Sequence, residues 1–292
     1  MATPLAADAS SRHYTRLTRG AETAIVMEAP VATEADRASL RAFRRIGLHL
    51  RGLGLSAPEE YAADPEAGLI VMEDLGDLTL SYLLTGDRDT AQAAYAAVAA
   101  LLPRLLEPPP AGLAAPNPEQ MAEMVGLTFD LLPGSDTLRA RLLPALAESL
   151  RTLAPGRQVL CLRDVHADNL MWLPERTGDA RVGLLDYQDA LLLPEGYDLA
   201  SLLDDPRREV PEAWREDLVS EYSTPARIAI LSLQRNLRIL GIFRRLATQF
   251  GKPSYRTFLP RTRALIARAA DGLALRADVA ELLDRTAAWS AP

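Results

Sequence analysis

The chain has 292 residues, with 32 basic against 39 acidic side chains, a net charge of −7 and a pI near 5.2. That balance argues against nucleic acid or an anionic membrane surface as a partner. A single cysteine, Cys161, excludes an intramolecular disulfide framework and zinc sites built on several thiolates. With 48% apolar and 24% charged residues, no secretory-leader pattern and no apolar run near the roughly 18 residues of a membrane span, a cytoplasmic globular protein without an obligate protein partner is expected.

Residues 14–18 and 23–27 are β-prone runs around Arg19-Gly20-Ala21, which predicts a hairpin. Leu40, Phe43, Gly47 and Leu50 recur at helical spacing, with Thr33 as N-cap and Asp36 three residues on, so a helix is predicted over 33–50. Residues 68–72 read as a buried strand that runs into Glu73-Asp74-Leu75-Gly76, giving the order β-β-α-β. Beyond it the pattern turns helical: 91–102, then a helix opened by Asn117-Pro118 and running to about 132, then 137–153. Three short strands interrupt at 159–162, 169–173 and 182–185, the last two joined by a turn at 175–179. Helices return after Asp198, with long ones predicted at 226–250 and 261–271. The expected division is a small β-rich part over 1–76, ending in an acidic turn, and a large helical part over 77–292.

The informative stretch is Arg163-Asp164-Val165-His166-Ala167-Asp168-Asn169, followed through the hairpin by Asp186-Tyr187-Gln188-Asp189. Asp164, Asn169 and Asp186 all stand at strand ends. Phosphoryl transfer needs such a set: a carboxylate to take the proton of the attacking hydroxyl, and a carboxylate with a carboxamide to hold magnesium against nucleotide phosphates. An Asp followed five positions later by an Asn, with Arg before the Asp, is the catalytic-loop spacing of kinases.

With these residues the chain resembles the aminoglycoside-phosphotransferase and choline-kinase-like branch of the protein-kinase-like fold, over nearly its whole length. The segments RDVHADNLMWLPER, GLLDYQDALLLPEGYDLASLL, DASSRHYTRL, VMEDLGDLTL and QRNLRILGIFRRLA are most similar to the bacterial cell-wall sugar kinases of that branch. Those act on the anomeric hydroxyl of N-acetylmuramate and N-acetylglucosamine. The resemblance implies an α+β, two-lobe fold with ATP and Mg²⁺ in the cleft between the lobes and a small amino sugar as acceptor. It implies Asp164 as catalytic base, Asn169 and Asp186 as magnesium ligands, and Glu73, Asp74 and Leu75 as the hinge whose backbone meets the adenine. Ser10, Ser11 and Arg12 would stand in place of a phosphate-covering loop. Other acceptors of the same fold, such as an aminoglycoside, choline or a homoserine-type alcohol, remain alternatives, as does a nucleotide-binding regulator without activity.

Two departures stand out. The first hairpin has no G-x-G-x-x-G, and Met27 occupies the strand position where most kinases carry a phosphate-gripping lysine. Lys252 is the only lysine of the chain, so the grip falls to an arginine, with Arg12 and Arg44 the candidates, or is absent. Among the remaining polar residues, His166 reads first as structural. Asp168 faces solvent or touches a substrate hydroxyl, and Asp189 serves a turn or the substrate. Asp198 reads as a helix N-cap. Arg235, Arg238, Arg244 and Arg245 read as a solvated helix face, the alternative being that one of them meets an anionic substrate. Trp172 and Trp214 are expected in the core, and Cys161 as a small buried hydrophobe.

Overall fold

A computed structural model of the chain describes residues 1–5 and 11–290. In chain order its strands and helices are β1 (Ala2–Pro4), β2 (His13–Arg19), β3 (Glu22–Glu28), α1 (Glu34–Gly52), β4 (Glu60–Asp64), β5 (Leu69–Met72), α2 (Leu80–Gly86) and α3 (Arg88–Leu101). These are followed by α4 (Pro118–Glu123), α5 (Gly126–Asp130), α6 (Asp136–Leu153), β6 (Gln158–Cys161), β7 (Leu170–Trp172), β8 (Val182–Leu184) and β9 (Leu191–Pro194). The chain ends in α7 (Tyr197–Leu203), α8 (Glu212–Tyr222), α9 (Pro225–Gln249), α10 (Leu259–Ala270) and α11 (Arg276–Arg285). It divides into two compact units, one of Met1–Leu113 with Leu162–Ala190, the other of Ala114–Cys161 with Leu191–Pro292. The expected α+β class, an antiparallel sheet followed by a helical body, is the observed one.

In the first unit the five-stranded sheet has the order β1-β2-β3-β5-β4, antiparallel throughout. Ile25, Met27, Ile70 and Met72 are the buried residues of β3 and β5. α1 begins in a capping box in which the Thr33 hydroxyl accepts from the Asp36 N–H and the Asp36 carboxylate accepts from the Thr33 N–H, so two terminal donors are satisfied at once. Its buried stripe is Leu40, Phe43, Ile46, Gly47 and Leu50, as the spacing predicted. The sequence reading missed β1 and β4. Both are edge strands, almost entirely exposed, so neither carries a buried face to leave a period in the sequence.

β7 and β8 form a hairpin with Leu170 opposite Leu184 and Trp172 opposite Val182. All six of its residues are buried. It is stitched to the rest of the unit by Trp172 N–H to Leu78 C=O at 2.7 Å and Leu184 N–H to Ser56 C=O at 2.8 Å.

The second unit is built around α9, capped by Thr224 with Pro225 in its first turn. Gly241 lets α5 approach: a Cβ there would lie 2.6 Å from the Thr128 hydroxyl, which donates to Leu237 C=O at 2.6 Å. The single helix predicted from Asn117 to about 132 is two, α4 and α5. Asp198 is not an N-cap either. Gly196, at φ 96°, occupies that position, and Asp198 lies buried inside the first turn of α7. Arg235 does not lie on a solvated face: it is 1% exposed and donates to Asp205 at 3.1 Å. Arg207 shares that carboxylate, while Arg215 and Arg268 hold Asp204, so each buried carboxylate has guanidinium partners. Trp172, Trp214 and Cys161 are buried as expected, and burial pushes the Cys161 thiol well above the ordinary range. Among the described residues no helix is long and apolar enough to cross a membrane.

Candidate active site

The groups expected to carry chemistry lie in the first unit. The segment before β7 is wound into turns by His166 N–H to Asp164 C=O at 3.0 Å and Asn169 N–H to His166 C=O at 2.9 Å. Leu185 N–H donates to Asn169 C=O at 3.0 Å, extending the hairpin by one rung and setting Asn169 beside Asp186. The Asn169 amide nitrogen faces three acceptors: Asp164 C=O at 3.1 Å, His166 Nε2 at 3.2 Å and Asp186 Oδ2 at 3.5 Å. Three acceptors around one atom decide which way the amide points, and Oδ1 becomes the atom presented to a ligand. His166 is 5% exposed and accepts from Asn169. Its place is structural, as expected: it orients the amide.

Arg163 at φ 73° and Asp186 at φ 57° are the two non-glycine residues with positive φ among the described residues. Left-handed backbone costs an ordinary side chain about 1–2 kcal/mol, and such residues collect where a site over-determines the chain. Arg163 also donates to Asp189 C=O at 2.8 Å, joining the loop to the segment after Asp186. Asp189 itself is exposed and Asp168 half-buried.

The Asp186 side chain opens to solvent. The protein packed around it still withholds solvation and raises its pKa. The Gln188 amide opposes this with an N–H donated to Oδ1 at 2.7 Å, repulsion from Asp164 and Asp189 adds to it, and Arg12 draws it back. Asp164 is thus close enough for its charge to be felt at Asp186. The donor set, a carboxylate beside a carboxamide oxygen, is the hard-oxygen pairing that suits Mg²⁺. No group of three or more His, Cys, Asp or Glu is placed to hold a metal unaided among the described residues. Mg²⁺ fits that economy, since it keeps waters and takes substrate phosphate oxygens as its remaining ligands.

In the segment expected to form the hinge, both acidic side chains are held by arginines. Asp74 accepts from Arg16 Nη2 at 3.0 Å and from the Gly76 N–H at 3.0 Å, and Arg16 also pairs with Asp77 at 2.8 Å. Glu73 pairs with Arg176, which donates to the Ser56 hydroxyl at 2.6 Å. Glu73 N–H is given to Glu59 C=O at 2.8 Å. Leu75 lies against Gly183, where a Cβ would come within 2.8 Å of its Cδ1. With the acids engaged, the segment offers a ligand its backbone and an apolar side chain.

The expected phosphate-covering residues precede β2 in the sequence. Ser10 lies outside the described residues and Ser11 is exposed. Arg12 is 6% exposed, donating to Gln188 Oε1 at 2.6 Å and to the Ser39 hydroxyl of α1 at 2.9 Å. Arg44 is engaged by both oxygens of Glu60 at 2.7 and 2.8 Å. Met27 is fully buried. Sequence reasoning passed over Gln188, Ser39, Arg16 and Arg176. The only signal for Gln188 was its place two residues after Asp186.

An antiparallel sheet joined to a loop and hairpin that bring Asp164, Asn169 and Asp186 together is the arrangement expected of a phosphotransferase. The sequence matches the phosphotransferase enzyme family over residues 2–231. The N-acetylmuramate/N-acetylglucosamine kinase of Caulobacter vibrioides is 37% identical over 320 aligned residues, covering 88% of this chain and 84% of that one. The protein of the same name from Neisseria meningitidis serogroup B is 31% identical, covering 88% and 81%. Among solved structures, a choline/ethanolamine kinase family protein from Mesorhizobium loti superposes with a TM-score of 0.66 at 15% identity, covering 97% of this chain and 92% of that one. Choline kinase LicA from Streptococcus pneumoniae gives 0.63 at 18%, covering 96% and 93%. The chain belongs to the phosphotransferase enzyme family and is a kinase with an alcohol group as acceptor.

Proposed function

We propose that this kinase transfers the γ-phosphoryl group of ATP to the anomeric hydroxyl of N-acetylmuramate or N-acetylglucosamine. The observation that carries phosphoryl transfer is the Asn169 amide, bonded to the Asp164 backbone and facing the Asp186 carboxylate. The acceptor rests on relatives of 28–37% identity that share one printed name and cover 88–90% of this chain.

In this reading the Asp164 carboxylate takes the proton of the C1 hydroxyl. The sugar oxygen bonds to the γ-phosphorus as the bond to the β–γ bridging oxygen breaks, leaving a sugar 1-phosphate and ADP. Asn169 Oδ1 and the Asp186 carboxylate would hold Mg²⁺, which when bound supplies positive charge against the nucleotide phosphates. The backbone of Glu73, Asp74 and Leu75 meets the adenine, while Ser10, Ser11 and Arg12 stand over the phosphates. Residues 1–76 and 77–292 act as the two lobes, and the product returns amino sugar to cell-wall precursors in the cytoplasm.

ADP release measured against amino sugars, choline, homoserine and aminoglycosides tests this. Turnover is expected with the two N-acetyl sugars and none with 1,5-anhydro-N-acetylglucosaminitol, which lacks the C1 hydroxyl. Turnover confined to choline or an aminoglycoside overturns the acceptor. Nucleotide binding with no turnover on any acceptor makes the protein a regulator, the reading that the buried Met27 favours.

A further inference from the structure

Kinases with a lysine on the third strand use its ion pair with the following helix to hold the phosphate site in register. Here Met27 is fully buried and carries no charge. A different link is present: α1 is joined to the segment after β8 by a chain of hydrogen bonds. Arg12, just before β2, donates through one nitrogen to Ser39 of α1 at 2.9 Å and through the other to Gln188 Oε1 at 2.6 Å. Gln188 Nε2 then donates to Asp186 Oδ1 at 2.7 Å. The guanidinium also hydrogen-bonds the Tyr14 phenol and lies 5.4 Å from the centre of the Phe43 ring.

We propose that Gln188 is a positioning residue, clamped by Arg12, that fixes the Asp186 carboxylate for the divalent cation and so takes over the registering role of the absent lysine. The amide is used in both senses. Its oxygen faces a pure donor and its nitrogen a pure acceptor, so a flip would break two bonds at once. Both bonds are charge-assisted, and so among the stronger kind. The lock falls where the backbone alone is least decisive, because Asp186 sits in the left-handed region at φ 57° and a turn follows it. Partners behind a metal ligand set its orientation, and losing one typically lowers metal affinity about 10–100-fold.

The proposal rests on reading Asp186 as a cation ligand, and the experiment separates the two. Calorimetric titration of the full chain with ADP in EDTA, and with ADP plus Mg²⁺, isolates the metal-dependent part of nucleotide affinity. In Gln188→Ala that part is expected to fall about 10–100-fold, with metal-free ADP affinity unchanged and kcat reduced at constant sugar KM. Gln188→Met, of nearly the same size but without the N–H donor or any charge, gives the same result and serves if the alanine variant fails to fold. Adding Arg12→Met to Gln188→Ala causes no further loss in the metal-dependent part, because the clamp is already gone. An unchanged metal-dependent affinity in both Gln188 variants, with Asp186→Asn abolishing it, overturns the positioning role and leaves the cation site standing. If Asp186→Asn also leaves it unchanged, the cation site itself is wrong. Strictly additive losses from Arg12 and Gln188 likewise overturn the clamp.

Discussion

Phe43 of α1 stacks on Tyr187, the residue after Asp186, with ring centroids 5.1 Å apart and planes 12° from parallel. The contact ties α1 to the segment that carries Asp186. One helical turn on, Gly47 makes room for the phenol: a Cβ there would sit 2.6 Å from Tyr187 Oη. That oxygen is buried with no hydrogen-bond partner among the described residues, and burial pushes the phenol's pKa upward. Gly47→Ala is therefore expected to destabilise the protein by about 1–3 kcal/mol, the usual range for overpacking. Tyr187→Phe removes an unsatisfied group and is expected to be neutral or stabilising by up to about 1 kcal/mol. Because the hydroxyl is the nearest atom, the double variant should recover part of the Gly47→Ala loss. Urea denaturation of the three variants checks this, and wild-type stability in Gly47→Ala would show that α1 slides at no cost.

Asp164→Asn isolates the proton-accepting charge. Asn169 bonds the backbone carbonyl of Asp164, a contact that a side-chain substitution leaves in place. Turnover is expected to fall by about 10²–10⁴, the usual worth of a positioned base, with nucleotide affinity kept. Steady-state ADP release and calorimetry measure the two separately, and full activity in the variant removes Asp164 from the chemistry.

What the sequence made legible follows from where its signals come from. α1 was readable because burial of one face and a capping box both leave residues at fixed spacing. The hairpin was readable from apolar runs broken by turn residues, and with it the neighbourhood of Asn169 and Asp186. β1 and β4 were not, since exposed edge strands bury nothing periodic. Asp198 misled because a carboxylate before an apolar run looks like a cap until Gly196 takes the left-handed position ahead of it. Arg235 misled because its partner Asp205 lies 30 residues away, and a helical pattern carries no trace of a distant counter-charge. The Arg12–Gln188 bond spans 176 positions and was invisible for the same reason.

The raised Asp186 pKa makes a signed prediction. Its ordinary value is 3.8 and the fold moves it up, mainly by withholding solvation. Between the two values the folded protein keeps a proton that the unfolded chain has lost, so stability falls as pH rises through that window. Asp186→Asn is neutral at every pH, keeps the acceptor for the Gln188 N–H and tolerates left-handed backbone. In metal-free buffer it is expected to be more stable than wild type at pH 7, and the advantage should shrink as pH falls toward the ordinary carboxylate value. Urea midpoints at pH 7, 5.5 and 4.5 read the trend, and an advantage that grows on acidification contradicts it.

Arg163 lets backbone and side chain be told apart. At φ 73° it holds a conformation that glycine adopts freely and alanine does not. Arg163→Gly and Arg163→Ala both lose the bond to Asp189 C=O, so the difference between them reports the backbone alone. Alanine usually stabilises relative to glycine by restricting the unfolded chain. Here the order is expected to reverse, with the glycine variant more stable by about 1 kcal/mol. Both variants should lose turnover to a similar degree, because the loop bearing Asp164 is no longer stitched to the segment after Asp186. Chemical denaturation alongside ADP release tests both halves. The ordinary order of stabilities would mean that residue 163 relaxes out of the left-handed region once its side chain is gone, and that the loop geometry is imposed by the arginine's contacts and not by the chain around it.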